Sequence, residues 1–149
     1  MLKLSKRVEY ALLAVQEMAR QPETVVSAKD VAARFNISFT LVAKVLQQLG
    51  HAGYVRSSKG VRGGYVLAVA PQKISIADVI EAVEGRQAIV DCQDETEHDC
   101  SVQHCCTIRG PLAILQERIT TTFSSMSVAE LVGNRHIVQV KLNQPTLTT

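Results

Sequence analysis

A chain of 149 residues, 46% of them hydrophobic, can enclose one good core, or a small domain with an arm attached. Its net charge of +2 hides an asymmetry, since residues 1–77 carry +7 and residues 78–149 carry −5, so two functional regions are expected. No apolar run approaches a membrane span, and Glu9, Glu17 and Arg20 break up the stretch after the early basic cluster. A cytoplasmic protein without a signal peptide is therefore expected, its four cysteines reduced or metal-bound rather than in disulfides.

The first helix is expected from Ser5 to about Arg20, with Val8, Ala11, Leu12, Val15, Met18 and Ala19 as its buried stripe. Glu9 lies in its first turn, where an acid complements the helix dipole. After Gln21-Pro22-Glu23-Thr24, Ser27 caps a short helix whose apolar face is Val31, Ala32 and Phe35. Asn36-Ile37-Ser38 reads as a tight turn. A further helix runs from Phe39 to Leu49, with Leu41, Val42, Val45, Leu46 and Leu49 inward and Gly50 and Gly53 ending it. Tyr54-Val55-Arg56 and Tyr65-Val66-Leu67 read as two strands around a loop from Ser57 to Gly64. Helix, turn, helix and hairpin make a winged helix-turn-helix, so the fold class is mainly α with a small β-hairpin wing. Pro71 then breaks the chain, and Ser75 caps a helix from Ile76 to Val83 that Gly85 stops.

Charge agrees with that motif. No Asp or Glu occurs from Val31 to Ala77, whereas Arg34, Lys44, Arg56, Lys59, Arg62 and Lys73 all do. A face of one sign with Gly-rich cationic loops suits the phosphate backbone of double-stranded DNA. Ser38 and Thr40, with Lys44 one turn on, would face the major groove, and the hairpin tip Lys59-Gly60-Val61-Arg62-Gly63-Gly64 would bring Arg62 to the minor groove. The plain alternative is a packing domain with solvated lysines; the agreement of charge and motif favours DNA.

Residues 91–106 hold all four cysteines, Cys92, Cys100, Cys105 and Cys106, together with His98, His104 and five acids (Asp91, Asp94, Glu95, Glu97, Asp99). No core-forming period exists there, so another agent must order the loop. Clustered thiols point to iron–sulfur or zinc, and the spacing Cys92-x7-Cys100-x5-Cys106 is looser than structural zinc knuckles. Metal-free thiol chemistry stays open because Cys105 and Cys106 are adjacent. An enzyme with Cys106 as nucleophile and His104 as base is disfavoured: no substrate-pocket signature accompanies them, and the acidic loop would raise the thiol pKa.

A long helix is expected right after Cys106, with Gly110-Pro111 in its first turns. Ile108, Leu112, Leu115, Ile119, Phe123 and Met126 form a near-heptad seam, which could pack on its own domain but is the kind of narrow stripe a two-fold homodimer uses. Ser127-Val128-Ala129-Glu130 reads as a capping box opening a last turn at Leu131-Val132. The tail from 134 to 149 lacks a pattern and is expected to be mobile or loosely docked.

Taken together, these segments resemble the Rrf2 family of bacterial transcription regulators, which includes iron–sulfur, nitric-oxide and redox sensors. The resemblance rests on Leu4-Ser5-Lys6-Arg7-Val8-Glu9-Tyr10-Ala11-Leu12, on Gly60-Val61-Arg62-Gly63-Gly64-Tyr65-Val66-Leu67, and on Ile76-Ala77-Asp78-Val79-Ile80-Glu81-Ala82-Val83-Glu84-Gly85. The three spaced cysteines and Ser127-Val128-Ala129-Glu130-Leu131-Val132 complete it, over residues 1 to about 133. It implies a non-enzymatic homodimeric regulator, expected to repress, with a winged-helix unit at 1–85, a cluster-binding loop at 86–106 and a dimerisation helix with closing turn at 107–133. DNA contacts are expected from Ser38, Thr40, Lys44, Arg56, Lys59, Arg62 and Gly63, on an inverted repeat. A [2Fe–2S] or [4Fe–4S] cluster is implied on Cys92, Cys100 and Cys106. One branch of the family takes a fourth ligand from a His three residues after the last cysteine, but that position is Arg109 here. Other branches use an acid from the partner subunit's first helix, which maps onto Glu9; Cys105, His104 and His98 are local rivals.

Overall fold

The computed structural model describes residues 3–93 and 100–133. Helix α1 spans Lys6–Arg20, and its first turn is closed by the Ser5 hydroxyl accepting from the Val8 N–H at 3.3 Å. Val8, Ala11, Ala14, Val15 and Met18 are its buried face. Ala14 belongs to that face, whereas Leu12 and Ala19 sit half-buried at its edges.

Helix α2 spans Ala28–Phe35 and α3 spans Phe39–His51. A reciprocal cap opens α2: Ser27 Oγ accepts from the Asp30 N–H at 3.1 Å and Asp30 Oδ2 accepts from the Ser27 N–H at 3.0 Å. The turn between them depends on Asn36, whose φ of 52° is left-handed, a conformation asparagine tolerates better than most side chains. Helix α3 outruns the expected stop at Leu49. Gly50 stays helical, Ala52 still donates to the Gln48 carbonyl at 3.0 Å, and the left-handed residue that ends the run is Gly53, φ 83°. Val42, Val45, Leu46 and Leu49 of α3 have no exposed surface.

The wing is an antiparallel pair, β1 (Val55–Ser58) and β2 (Gly64–Leu67), in the register Val55↔Leu67 to Ser58↔Gly64. Against the expected strands, β1 begins one residue later and ends two later, and β2 begins one residue earlier and ends at the same Leu67. Tyr54 is drawn out of the ladder, donating to Leu49 and accepting from Ala68, while two poor strand formers, Ser58 and Gly64, are paired by the hairpin geometry. Val26 extends the ladder by one bridge to Tyr65, with N–H···O distances of 2.9 and 2.8 Å. Gly64 lies under that bridge; a Cβ there would stand 2.7 Å from the Val26 carbonyl oxygen and 2.9 Å from the Ser27 nitrogen.

Helix α4 (Ile76–Glu84) opens with a second reciprocal cap, Ser75 with Asp78, and α6 (Val128–Gly133) with a third, Ser127 with Glu130. Between them lies α5, Arg109–Ser125, which starts two residues later than expected. Its end is stitched to the start of α4, since Ile76 donates to the Met126 carbonyl and Val128 donates to the Ile74 carbonyl. Val128 is fully buried, and Gln16 of α1 donates to the Leu131 carbonyl at 2.7 Å. The single core is thus built from α1, α2, α3, α4, β1 and α6. Helix α5 contributes no buried residue. The expectation for the 134–149 tail lies outside the described residues, and among the described residues no helix is long and apolar enough to cross a membrane.

Candidate DNA-binding face and cysteine loop

The start of α3 and the wing present the expected DNA residues to solvent: Ser38, Thr40, Lys44, Arg56, Lys59, Arg62 and Gly63 are all exposed. Ser38 is also the cap of α3, its Oγ accepting from the Leu41 N–H at 3.4 Å. Accepting there leaves its own hydroxyl hydrogen available to a phosphate oxygen. At the hairpin tip, Gly63 donates to Gly60 and sits close over the Ser58 and Gly60 carbonyls, so a side chain at 63 would crowd the turn that aims Lys59 and Arg62.

Arg34 has to be set apart from that cationic set. Its guanidinium lies 2.6 Å from Glu17, the one buried charged side chain of the core among the described residues, which also accepts from Gln21 at 2.8 Å. Glu17 thereby offsets the Arg34 charge and ties α1 to α2, a pairing across seventeen positions that periodicity does not reveal. Two apolar side chains stand within the basic face: Phe39, 56% exposed at the start of α3, and Val61 at the tip of the wing, fully exposed. A bulky apolar residue at a helix start or hairpin tip, with no core partner in reach, is the signal that could have marked them.

Asp30 and Glu130 are held below the usual carboxylate range. For Asp30 the main cause is the hydrogen bond with the Ser27 side chain, then its backbone; for Glu130 it is the Ser127 backbone, then its side chain. Glu9 is half-exposed and paired with Lys6 at 2.6 Å, a bond that raises the Lys6 pKa.

The cysteines follow α4. Cys92 lies in a short 3-10 turn and Cys100 begins the segment leading to α5; both are half-buried, as is Cys106. Cys105 is exposed, with its thiol 3.6 Å from the Val102 carbonyl. His104 is exposed as well. Among the described residues the four thiols are free of disulfides, and no three His, Cys, Asp or Glu side chains gather into a metal-holding group. His98 and the acids of 94–99 lie outside the described residues. By their chemistry three soft thiols kept out of the hydrophobic core are donors that suit an iron–sulfur cluster. Beside Cys92 a cleft of about 500 Å³ runs between α4 and α5, and the buried amide of Gln93 on its wall has no partner. Gln116 of α5 fastens the strip before the loop, donating to the Gln87 carbonyl at 2.9 Å and accepting from the Ile89 N–H at 2.8 Å.

The Rrf2 family profile, described as an iron-dependent transcriptional regulator, matches residues 4–134. The chain belongs to the Rrf2 family. It is a transcriptional regulator of that family. It is 35% identical over 127 residues to the protein rrf2 of Nitratidesulfovibrio vulgaris, covering 83% of this chain and 84% of that one. It is 29% identical to the HTH-type transcriptional regulator NsrR of Halalkalibacterium halodurans, covering 95% of this chain and 97% of the other. Among solved structures it resembles CymR, the global cysteine regulator of B. subtilis, with a TM-score of 0.70 and 28% identity over 89% of this chain and 98% of that one. The fold expected from sequence, mainly helical with a two-stranded wing, is the fold these Rrf2 neighbours share.

Proposed function

We propose that this Rrf2 regulator is a homodimer whose grip on double-stranded DNA is set by an iron–sulfur cluster held on Cys92, Cys100 and Cys106. Helix α3 enters the major groove with Ser38, Thr40 and Lys44, while Arg56, Lys59, Arg62 and the Gly63 turn follow the backbone beside it. Phe39 and Val61 add apolar contact to sugar or thymine methyl at the same face. The work is divided among residues 1–85, which read DNA, 86–106, which sense, and 107–133, which pair two copies. The dimer places two α3 helices on an inverted repeat, with half-sites about 10 bp apart or a multiple of that.

The observation that carries the sensing half is an adjacency. Three thiols outside disulfides and outside the core lead into α5, a helix with no buried residue; Ile108 at its start and Ile114 and Leu115 on it are 60, 54 and 45% exposed. Pairing of two α5 helices would cover those side chains and bring each cysteine loop near the other copy. Glu9 of the partner subunit, now paired with Lys6, would be the residue to hold the remaining position. Arg109 cannot serve, because it stays protonated. A cluster bound there supplies iron that reacts with oxidants or nitric oxide. Any change in DNA affinity equals the difference between how the ligated and unligated loops favour the DNA-competent dimer.

The test is anaerobic purification with absorbance, iron and sulfide analysis, followed by reconstitution of Glu9→Ala and Cys105→Ala. Brown protein that loses cluster lifetime in Glu9→Ala and keeps it in Cys105→Ala is the expected result. Loss in Cys105→Ala alone would make Cys105 the fourth ligand, with His104 the next candidate. A second reading rests on the exposure of Cys105 beside Cys106 and on the likeness to CymR: a thiol switch without iron, or with structural zinc. Colourless protein whose DNA binding changes with a mild thiol oxidant would establish the switch, and stoichiometric zinc the metal.

A further inference from the structure

The first turns of α1 carry a second feature besides Glu9. Arg7 Nη2 donates to the Val83 carbonyl at 2.6 Å and to Gln48 Oε1 at 3.2 Å, and Gln48 Nε2 donates to the same Val83 carbonyl at 3.0 Å. The three groups close a ring joining α1, α3 and the last turn of α4. Carbonyls in a helix's last turn lack intrahelical partners, and a guanidinium there also meets the negative end of the dipole. Val83 is 2% exposed and lies two residues before Gly85, φ 77°, where the chain leaves α4 for the cysteine segment. Gln48 lies one turn beyond Lys44 on the helix that carries Ser38 and Thr40.

We propose that Arg7 is a positioning residue for DNA recognition, the tie through which the start of α1 and the cysteine-loop end of α4 set the placement of α3. The proposal deepens the reading above, since it presumes that the state of the cysteine loop alters DNA affinity. Glu9 lies two residues from Arg7 on one rigid helix, so moving Glu9 toward or away from the partner's loop moves the guanidinium with it. At the other end, reordering of the loop acts on the last turn of α4, whose Val83 carbonyl Arg7 grips. Helix α3 answers as a unit because its inner residues Val42, Val45, Leu46 and Leu49 are fully enclosed. Both bonds leave one nitrogen, Nη2, whose two hydrogens are fixed in the guanidinium plane, whereas a lysine ammonium is a mobile point charge on a shorter side chain.

The experiment compares full-length wild type, Arg7→Lys and Gln48→Met, each anaerobically reconstituted, for DNA affinity with the cluster loaded and removed. Wild type should show an affinity ratio of roughly tenfold between the two states. Both variants should bring that ratio below about threefold while keeping the wild-type cluster spectrum, and the double variant should add nothing to either single one. A variant ratio within twofold of wild type, with the spectrum intact, would overturn the proposal. Amide hydrogen exchange supplies an arm that does not depend on the cluster. Arg7→Lys should speed exchange across residues 39–51 and 76–85 and leave 28–35 unchanged; unchanged protection at 39–51 would overturn the tie itself. A wild-type ratio of one combined with faster exchange in Arg7→Lys would place the failure in the cluster reading, with the positioning role intact.

Discussion

Replacing Gly64 by alanine should detach the wing from the body of the protein while leaving its basic tip chemically unchanged. The added Cβ would lie 2.7 Å from the Val26 carbonyl oxygen and 2.8 Å from its carbon, both backbone atoms that no rotamer change can move away. Ordinary contact begins near 3.4 Å, so the backbones must part by about 0.7 Å. That separation breaks or stretches the two bridge bonds between Val26 and Tyr65, now 2.9 and 2.8 Å, each worth about 1 kcal/mol net. Overpacking adds ~1–3 kcal/mol where neighbours cannot yield. The expected loss is therefore about 3 kcal/mol, a large part of the ~5–15 kcal/mol that holds a domain of this size. Urea unfolding should show a lower midpoint with an unchanged slope, and Tm should fall by roughly 6–12 °C. DNA affinity should fall further than Tm alone explains, because Lys59 and Arg62 lose their aim. Gly110→Ala is the control: nothing lies within 4 Å of its Cβ, it sits in α5, and alanine there should be neutral or stabilise by up to about 1 kcal/mol. A Gly64→Ala protein within about 0.5 kcal/mol of wild type would refute the steric argument.

Arg62→Ala and Lys44→Ala should each weaken DNA binding and lower the salt slope by about one counterion, whereas Arg34→Ala should act on stability through Glu17; equal slopes in all three would withdraw the proposed contacts. Ile108→Glu with Leu115→Glu should give folded monomers by light scattering, since both side chains are already exposed in the single chain; a dimer that survives both changes would move the interface elsewhere. Asp30 has a depressed pKa in the folded protein, so its contribution is fully present above the ordinary aspartate range and fades as pH falls through the folded value. Asp30→Asn should therefore cost stability near pH 7, by about 1 kcal/mol for a weakened cap, and the gap from wild type should close as pH falls through the depressed folded value; a gap that persists in acid would assign the loss to packing.

Much of the architecture was legible along the chain because it is local. Ser27 and Ser75 close helix starts as the spacing predicts, since a cap needs only the three residues after it; the caps at Ser5 and Ser38 and the box acids Asp30 and Asp78 obey the same local rule. The basic face was equally visible, because an acid-free run needs no partner to be basic. What only the folded chain decided are the long-range pairings. Arg34 looks like one more DNA-facing cation until Glu17, seventeen residues away, takes its charge. Gly64 looks like a flexible wing residue until the Val26 backbone passes within 3 Å of where its Cβ would be. The seam of α5 reads as one stripe, yet Phe123 packs onto the core beside α4 while Ile108 and Leu115 stay outside, and that division depends on where α4 lies. Arg7 gave no signal at all, for its partners lie 41 and 76 positions on and one of them is a backbone carbonyl. Short-range hydrogen bonds and periodic burial are written in spacing, whereas the partner of a charge and the room around a glycine exist only once distant segments have met.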